Sequence, residues 1–167
     1  MKNKLTILLI IFSFQNIISR AQQYILSNEV SIFSFQTKKG KFVCLNKDKD
    51  NKYIVYRFGT KDIIEFQFPE NLTNSWKEFK FSSFLRGGGI MNEGMDLNYI
   101  VFVNKNFKYV IYDNYFAVGD REEIGIRVID TTNKKEVRIP GIRKTRKGNL
   151  VDFRDNNLLE IDEEYYD

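Results

Sequence analysis

Wherever the chain is apolar its hydrophobic and polar positions alternate with period two, and stripes at i, i+3 and i+4 are hard to find. That periodicity predicts strands rather than amphipathic helices. Residues 30–36 (VSIFSFQ) and 41–45 (KFVCL) flank Thr37-Lys38-Lys39-Gly40, a polar tip ending in glycine that suits a hairpin. Residues 52–58 (KYIVYRF) and 62–68 (DIIEFQF) flank Gly59-Thr60-Lys61, and Pro69 ends the second strand because it cannot donate to a ladder. Alternation puts Tyr53, Val55 and Arg57 on one face of this pair, and Ile54, Tyr56 and Phe58 on the other. Further strands are predicted at 76–85, 95–103 (MDLNYIVFV), 107–113 (FKYVIYD), 123–131 and 135–139, with 150–153 closing the sheet. The expected fold is all-β, an antiparallel sandwich or barrel of about eight to ten short strands.

The one apolar run outside this pattern is at the start. Residues 5–14 (LTILLIIFSF) follow Lys2 and Lys4 and precede Ser19-Arg20-Ala21. A positive n-region, a short apolar core and small residues at the two positions a signal peptidase reads make 1–21 a predicted secretory signal peptide, cut before Gln22. A membrane-spanning helix needs about 20 continuous apolar residues, and Gln15, Asn16 and Arg20 interrupt the run, so no transmembrane anchor is expected. The expected organisation is a single β domain over 22–154 and an acidic C-terminal tail over 155–167, in a periplasmic or secreted protein.

Export changes the charge balance. The net charge of +4 includes Lys2, Lys4 and Arg20, and losing those three of 26 basic side chains leaves 23 against 22 acidic ones. Near-neutral charge and export both argue against a nucleic-acid partner. The charge is nevertheless blocked along the chain. Residues 134–147 carry seven basic side chains against Glu136, and 155–167 carry six acids and no base. One reading is a solvated loop and a frayed tail. The other is that the basic block meets an acidic partner and the tail occupies it otherwise. Cys44 is the single cysteine, so no intramolecular disulfide can form, and it reads as a small buried hydrophobe. With fifteen Phe and nine Tyr, the core has ample large apolar side chains to hold the fold without staples.

The chain has no histidine. This removes Ser/His/Asp and Cys/His nucleophile systems in their usual forms, and zinc sites built on imidazole. No cofactor or metal is expected. Asp48-Lys49-Asp50-Asn51 resembles the start of a calcium loop, but Tyr53 and Gly59 stand where that pattern needs glycine and glutamate, so it reads as a hairpin tip. Asn71-Leu72-Thr73 has the form of a glycosylation acceptor in an exposed loop. Paired carboxylates acting on a glycan stay open, with Glu65, Glu78, Glu93 and Asp96 as candidates, although no spacing selects two of them.

The most unusual stretch runs from Arg86 through Gly87-Gly88-Gly89 and Gly94 to Asp96. A phosphate cradle would need a following helix and a Lys-Ser/Thr pair, which are missing. Two readings remain: a wide turn between strands, or a binding loop in which Arg86, Gly87, Gly88, Gly89, Asn92, Glu93 and Asp96 present polar contacts from a pliable backbone. Tyr99, with Tyr56, Tyr109 or Tyr112, would flank such a loop, and Arg86 would be its anchor.

The segments YRFG at 56–59, LRGGG at 85–89 and NEGMDLNY at 92–99 resemble a group of small exported bacterial β proteins without an assigned activity, over roughly residues 52 to 113. In plan, a signal peptide followed by a compact β domain is similar to the periplasmic inhibitors of C-type lysozyme. The paired cysteines of those inhibitors have no counterpart here, and no functional residue is carried over. The leading expectation is an exported non-enzymatic binding protein with a protein partner in the envelope or outside the cell, such as a cell-wall hydrolase or a toxin. The competing expectations are an envelope-associated structural module without a ligand site, and a glycan-active enzyme using two carboxylates.

Overall fold

The computed structural model describes residues 24–155, 157–164 and 166. The expected leader, 1–21, lies outside them. The described residues form eleven short strands in two sheets: β1 (Glu29–Gln36), β2 (Phe42–Asp48), β3 (Ile54–Gly59), β4 (Ile64–Phe68), β5 (Phe79–Arg86), β6 (Met95–Asn104), β7 (Phe107–Phe116), β8 (Arg121–Asp130), β9 (Glu136–Pro140), β10 (Lys147–Gly148) and β11 (Glu160–Ile161). One sheet has the order β10-β1-β2-β3-β4, the other β11-β5-β6-β7-β8-β9. Among the described residues no helix is long and apolar enough to cross a membrane.

Sequence neighbours pair as hairpins, so the ladders are antiparallel at every step except one. The exception is β11, which lies parallel to β5 through Glu160↔Lys80 and Ile161↔Phe81. The expectation of a wholly antiparallel fold fails there because a parallel pair needs a long connection, and the whole of β6 to β10 supplies it. Two further corrections are local. The predicted strand 76–85 begins with a 3-10 turn, Ser75–Glu78, because Asn74 sits at φ 58° and the Ser75 hydroxyl pairs with both the N–H and the carbonyl of Ile54, at 2.8 and 2.7 Å. Residues 150–153 close no sheet. Val151–Phe153 forms a 3-10 turn that drops Leu150 and Phe153 into the core. The covering strand is β10, two residues long, which reaches β1 because Gly148 has no side chain: a Cβ there would stand 1.8 Å from the Ile32 carbonyl oxygen.

The inner faces of both sheets share one core. Phe33, Leu45, Tyr56 and Phe68 from the first sheet meet Phe79, Ile100, Phe102 and Ile126 from the second. Phe102 lies at its centre, with its ring stacked on Phe68 at 4.4 Å and on Tyr109 at 4.8 Å. The alternation read in residues 52–58 holds, since Ile54 and Tyr56 are in the core and Phe58 packs against it.

The outer faces are also covered. On the six-stranded sheet Leu97, Tyr99, Val101 and Val110 form a second cluster with Tyr166. In the tail, among the described residues, Leu159 and Tyr166 are buried and no acid pairs with the basic block. The tail's acids pair with Lys80 and Lys108 through Glu160 and Glu164 at 2.8 and 2.6 Å, because two apolar side chains, Leu159 and Tyr166, are drawn out of water against the sheet. The basic block finds its own partners: Arg138 meets Glu136, Arg143 meets Glu122, and Arg146 meets Asp113.

On the five-stranded sheet the outer face carries Arg57, on the same face as Val55, and it is buried. Its guanidinium grips Glu29 through both nitrogens at 2.5 and 2.8 Å, donates to Gln67 at 2.9 Å, and donates to the Tyr24 carbonyl at 2.8 Å. Glu29 also accepts from the Tyr53 hydroxyl at 3.0 Å and the Leu26 N–H at 2.9 Å. The segment 24–28 is thereby strapped across the sheet. Among the described residues every buried side-chain nitrogen and oxygen has a partner, as buried polar groups require.

Candidate binding loop

β5 and β6 pair out to Arg86↔Met95, so residues 87–94 form the whole connection of one hairpin. Gly88 and Gly89 turn the chain at φ 91° and 61°. At Gly88 the reason is twofold, since a Cβ would also stand 2.7 Å from that of Asn92. A 3-10 turn, Ile90–Asn92, follows, and Glu93 closes it in the left-handed region at φ 47°.

The loop satisfies its own polar groups. Gly94 N–H donates to the Gly89 carbonyl at 2.7 Å, and Glu93 N–H donates to the Ile90 carbonyl at 3.1 Å. The Asn92 amide donates to the Gly87 carbonyl at 2.8 Å. Arg86 places Nε and Nη2 on the Glu93 carbonyl at 3.0 and 2.8 Å, with the Glu93 carboxylate 3.5 Å away. Ala117 N–H donates to the Gly94 carbonyl at 2.8 Å, joining this loop to the β7–β8 connection. These bonds cross-link the loop backbone, and Gly88 and Gly89 supply positive φ angles. The element that follows is a strand, so no helix N-terminus faces the loop.

Beside its exposed polar residues the loop presents apolar side chains outward. Met91 is 97% exposed and Ile90 69%, and Leu85 on β5 and Val118 in the β7–β8 connection are exposed as well. The sequence reading sought polar contacts here and passed over these four. The signal was available: an Ile-Met pair enclosed by glycines, asparagine and glutamate has no alternating partner that could bury it.

The predicted site residues do not form one surface. Arg86, Gly87, Gly88, Gly89, Asn92 and Glu93 share the loop. Asp96 belongs to the inner side of β6, where its carboxylate pairs with Arg154 and accepts from the Asn98 amide at 2.7 Å. Tyr99 faces the other way and is buried, its ring set edge-on to Tyr166 at 5.6 Å and its hydroxyl accepting from the Asn114 amide at 3.2 Å. Tyr56 is in the core. The four candidate carboxylates occupy four separate elements: Glu65 on β4 pairs with Lys41, Glu78 ends the 3-10 turn before β5, Glu93 is in the loop, and Asp96 pairs with Arg154. Among the described residues no group of three or more Cys, Asp or Glu could hold a metal ion. Asp48 does form the hairpin tip expected of it, its Oδ1 accepting from the Asp50 N–H at 3.0 Å.

Arg86 therefore has a positioning role. In Arg86→Ala, amide exchange at Asn92, Glu93 and Gly94 should quicken by about tenfold, while global stability changes by about 0.5 kcal/mol or less. Hydrogen exchange read residue by residue, beside urea unfolding, checks this. Unchanged exchange would mean that the glycine backbone holds itself.

No family model, curated protein or solved structure matches this chain.

Proposed function

We infer that this is an exported, non-enzymatic binding protein that uses the β5–β6 loop to engage a protein partner, in its concrete form an antagonist of a cell-wall hydrolase or of an incoming toxin. The two sheets facing each other across one core supply a sandwich-like scaffold for it. The observation that carries the reading is a loop cross-linked by its own hydrogen bonds that keeps Met91 and Ile90 in water. A surface residue this exposed contributes nothing to the fold, and an apolar one costs solubility. Holding it on a fixed backbone lowers the ordering cost of association, and the thioether of Met91 adapts to the walls of an apolar cleft. Glu93, next in the loop, and Arg121, which shares a shallow depression with Glu93 and Val118, supply polar groups for a rim.

The test is capture from the producer's envelope and culture fractions by the immobilised protein and by Ile90→Asp/Met91→Asp. Both substitutions are at exposed positions, so circular dichroism should be unchanged. A specific partner should be held by the wild type and lost by the double variant, with affinity down about a hundredfold or more. If both forms retain the same proteins, the loop is not the binding surface.

A further inference from the structure

The five-stranded sheet carries a cavity of about 550 Å³ on its outer side, remote in topology from the β5–β6 loop. Its volume is that of ordinary small-molecule sites. Phe42 and Cys44 line it with side chains from β2, Phe35 and Val43 border it only through their backbone because their side chains point into the core, and the strap residues Tyr24 and Ile25 wall one side. Three other lining residues are lysines: Lys61 from the β3–β4 turn, and Lys144 and Lys147 from the segment around β10.

Three local structures bring these parts together. The Tyr24 hydroxyl donates to the Thr60 carbonyl at 2.7 Å, which ties the strap to the turn that carries Lys61. The Gln36 N–H donates to the Thr145 hydroxyl at 2.8 Å, which fixes the 3-10 turn Arg143–Thr145 against the end of β1. Pairing of Ser34 with Lys147 then brings that lysine alongside β1.

The charges do not cancel. No carboxylate lines the cavity, and among the described residues Lys61, Lys144 and Lys147 enter no ion pair, whereas the fourth cation, Arg146, is held by Asp113 at 2.9 Å. On the same face Glu65 is bound to Lys41 and Glu29 to Arg57. An apolar cavity alone accepts any hydrophobe, and exposed lysines alone accept any anion. Together they select a molecule with both properties.

We propose that this cavity binds an anionic amphiphile, its aliphatic chain against Phe42, Tyr24 and Ile25 and its carboxylate or phosphate head held by Lys61, Lys144 and Lys147. The head group exchanges hydration for charge-assisted contacts at the water-facing mouth, and the chain leaves water in the interior. Loss of the three cations should therefore weaken anionic ligands selectively.

The experiment titrates the purified full chain, in whatever processed form its cells yield, with decanoate, decyl phosphate, decanol and decyltrimethylammonium, each below its aggregation threshold. Calorimetry gives affinity and amide NMR gives location. Decanoate and decyl phosphate should bind, with shifts centred on residues 34–36, 42–44 and 144–147, and decanol should bind about tenfold more weakly. A preference for the carboxylate would point to a free fatty acid and a preference for the phosphate to a lipid head group, and either supports the site. Lys61→Glu/Lys144→Glu/Lys147→Glu, all at exposed positions, should lose about tenfold or more for both anions and leave decanol unchanged. The proposal is overturned if no anion shifts those amides, if decanol or the cationic amphiphile binds as well as decanoate, or if the triple variant keeps the full affinity.

Discussion

Arg57→Ala is expected to destabilise the fold by about 3–5 kcal/mol, the cost of leaving a buried carboxylate without its counter-charge. The Glu29 carboxylate would remain on the outer face of the five-stranded sheet with only Tyr53 and the Leu26 N–H as partners, and the strap would lose the guanidinium's bond to the Tyr24 carbonyl. Unfolding in urea, followed through the fluorescence of the single tryptophan, Trp76, measures it. The dependence on pH separates this cause from lost packing. Burial pushes the Glu29 carboxyl up, but the hydrogen bonds from Arg57 and Leu26 and the charge of Arg57 outweigh it and hold the group below its ordinary value. A depressed carboxylate contributes stability that is complete above its unfolded pKa and disappears as pH falls through the folded one. In the variant that contribution is absent. The gap between the two proteins should be widest at neutral pH and narrow in acid, and a gap that ignores pH would refute the electrostatic account.

Phe102→Ala is expected to cost a similar amount, about 3–5 kcal/mol, for a different reason. Its ring touches aromatic partners from both sheets: Phe68 and Tyr56 on one side, at 4.4 and 5.2 Å, and Tyr109 and Phe79 on its own, at 4.8 and 5.3 Å. No single neighbour can collapse into the space without abandoning another. Val103, the next residue, is exposed on the opposite face of β6, so Val103→Ala should change stability by about 0.5 kcal/mol or less. Equal effects at the two positions would mean that the core is not shared between the sheets.

The contrast between Phe102 and Val103 is of the kind that period two makes legible, and most strands were readable for that reason. Arg57 shows where the signal stops. Alternation grouped it with Val55 but carries no sign of what covers that face, because the cover comes from the strap, and the acid it meets lies in β1, two strands earlier in the chain. A two-residue strand has no period at all, so β10 and β11 left no mark in the sequence. They are recognised only through partners, β1 and β5, that are far away along the chain. In the loop the difficulty was of another kind. Asn92 and Asp96 stand four positions apart and read as one polar surface, but the strand begins at Met95 and turns Asp96 inward to Arg154. Tyr99 was recognised as an aromatic near the loop, and its burial depends on Tyr166.

The placement of β10 and β11 also bears on how the molecule is made. Each covers one border of a sheet, and both come from residues 147–161, so they are synthesised after every strand they protect. Until then β1 and β5 offer uncovered rows of amides and carbonyls to any neighbouring chain. During biogenesis, self-association would be limited by how quickly that last stretch emerges and docks, and a product shortened before Lys147 would carry the hazard permanently.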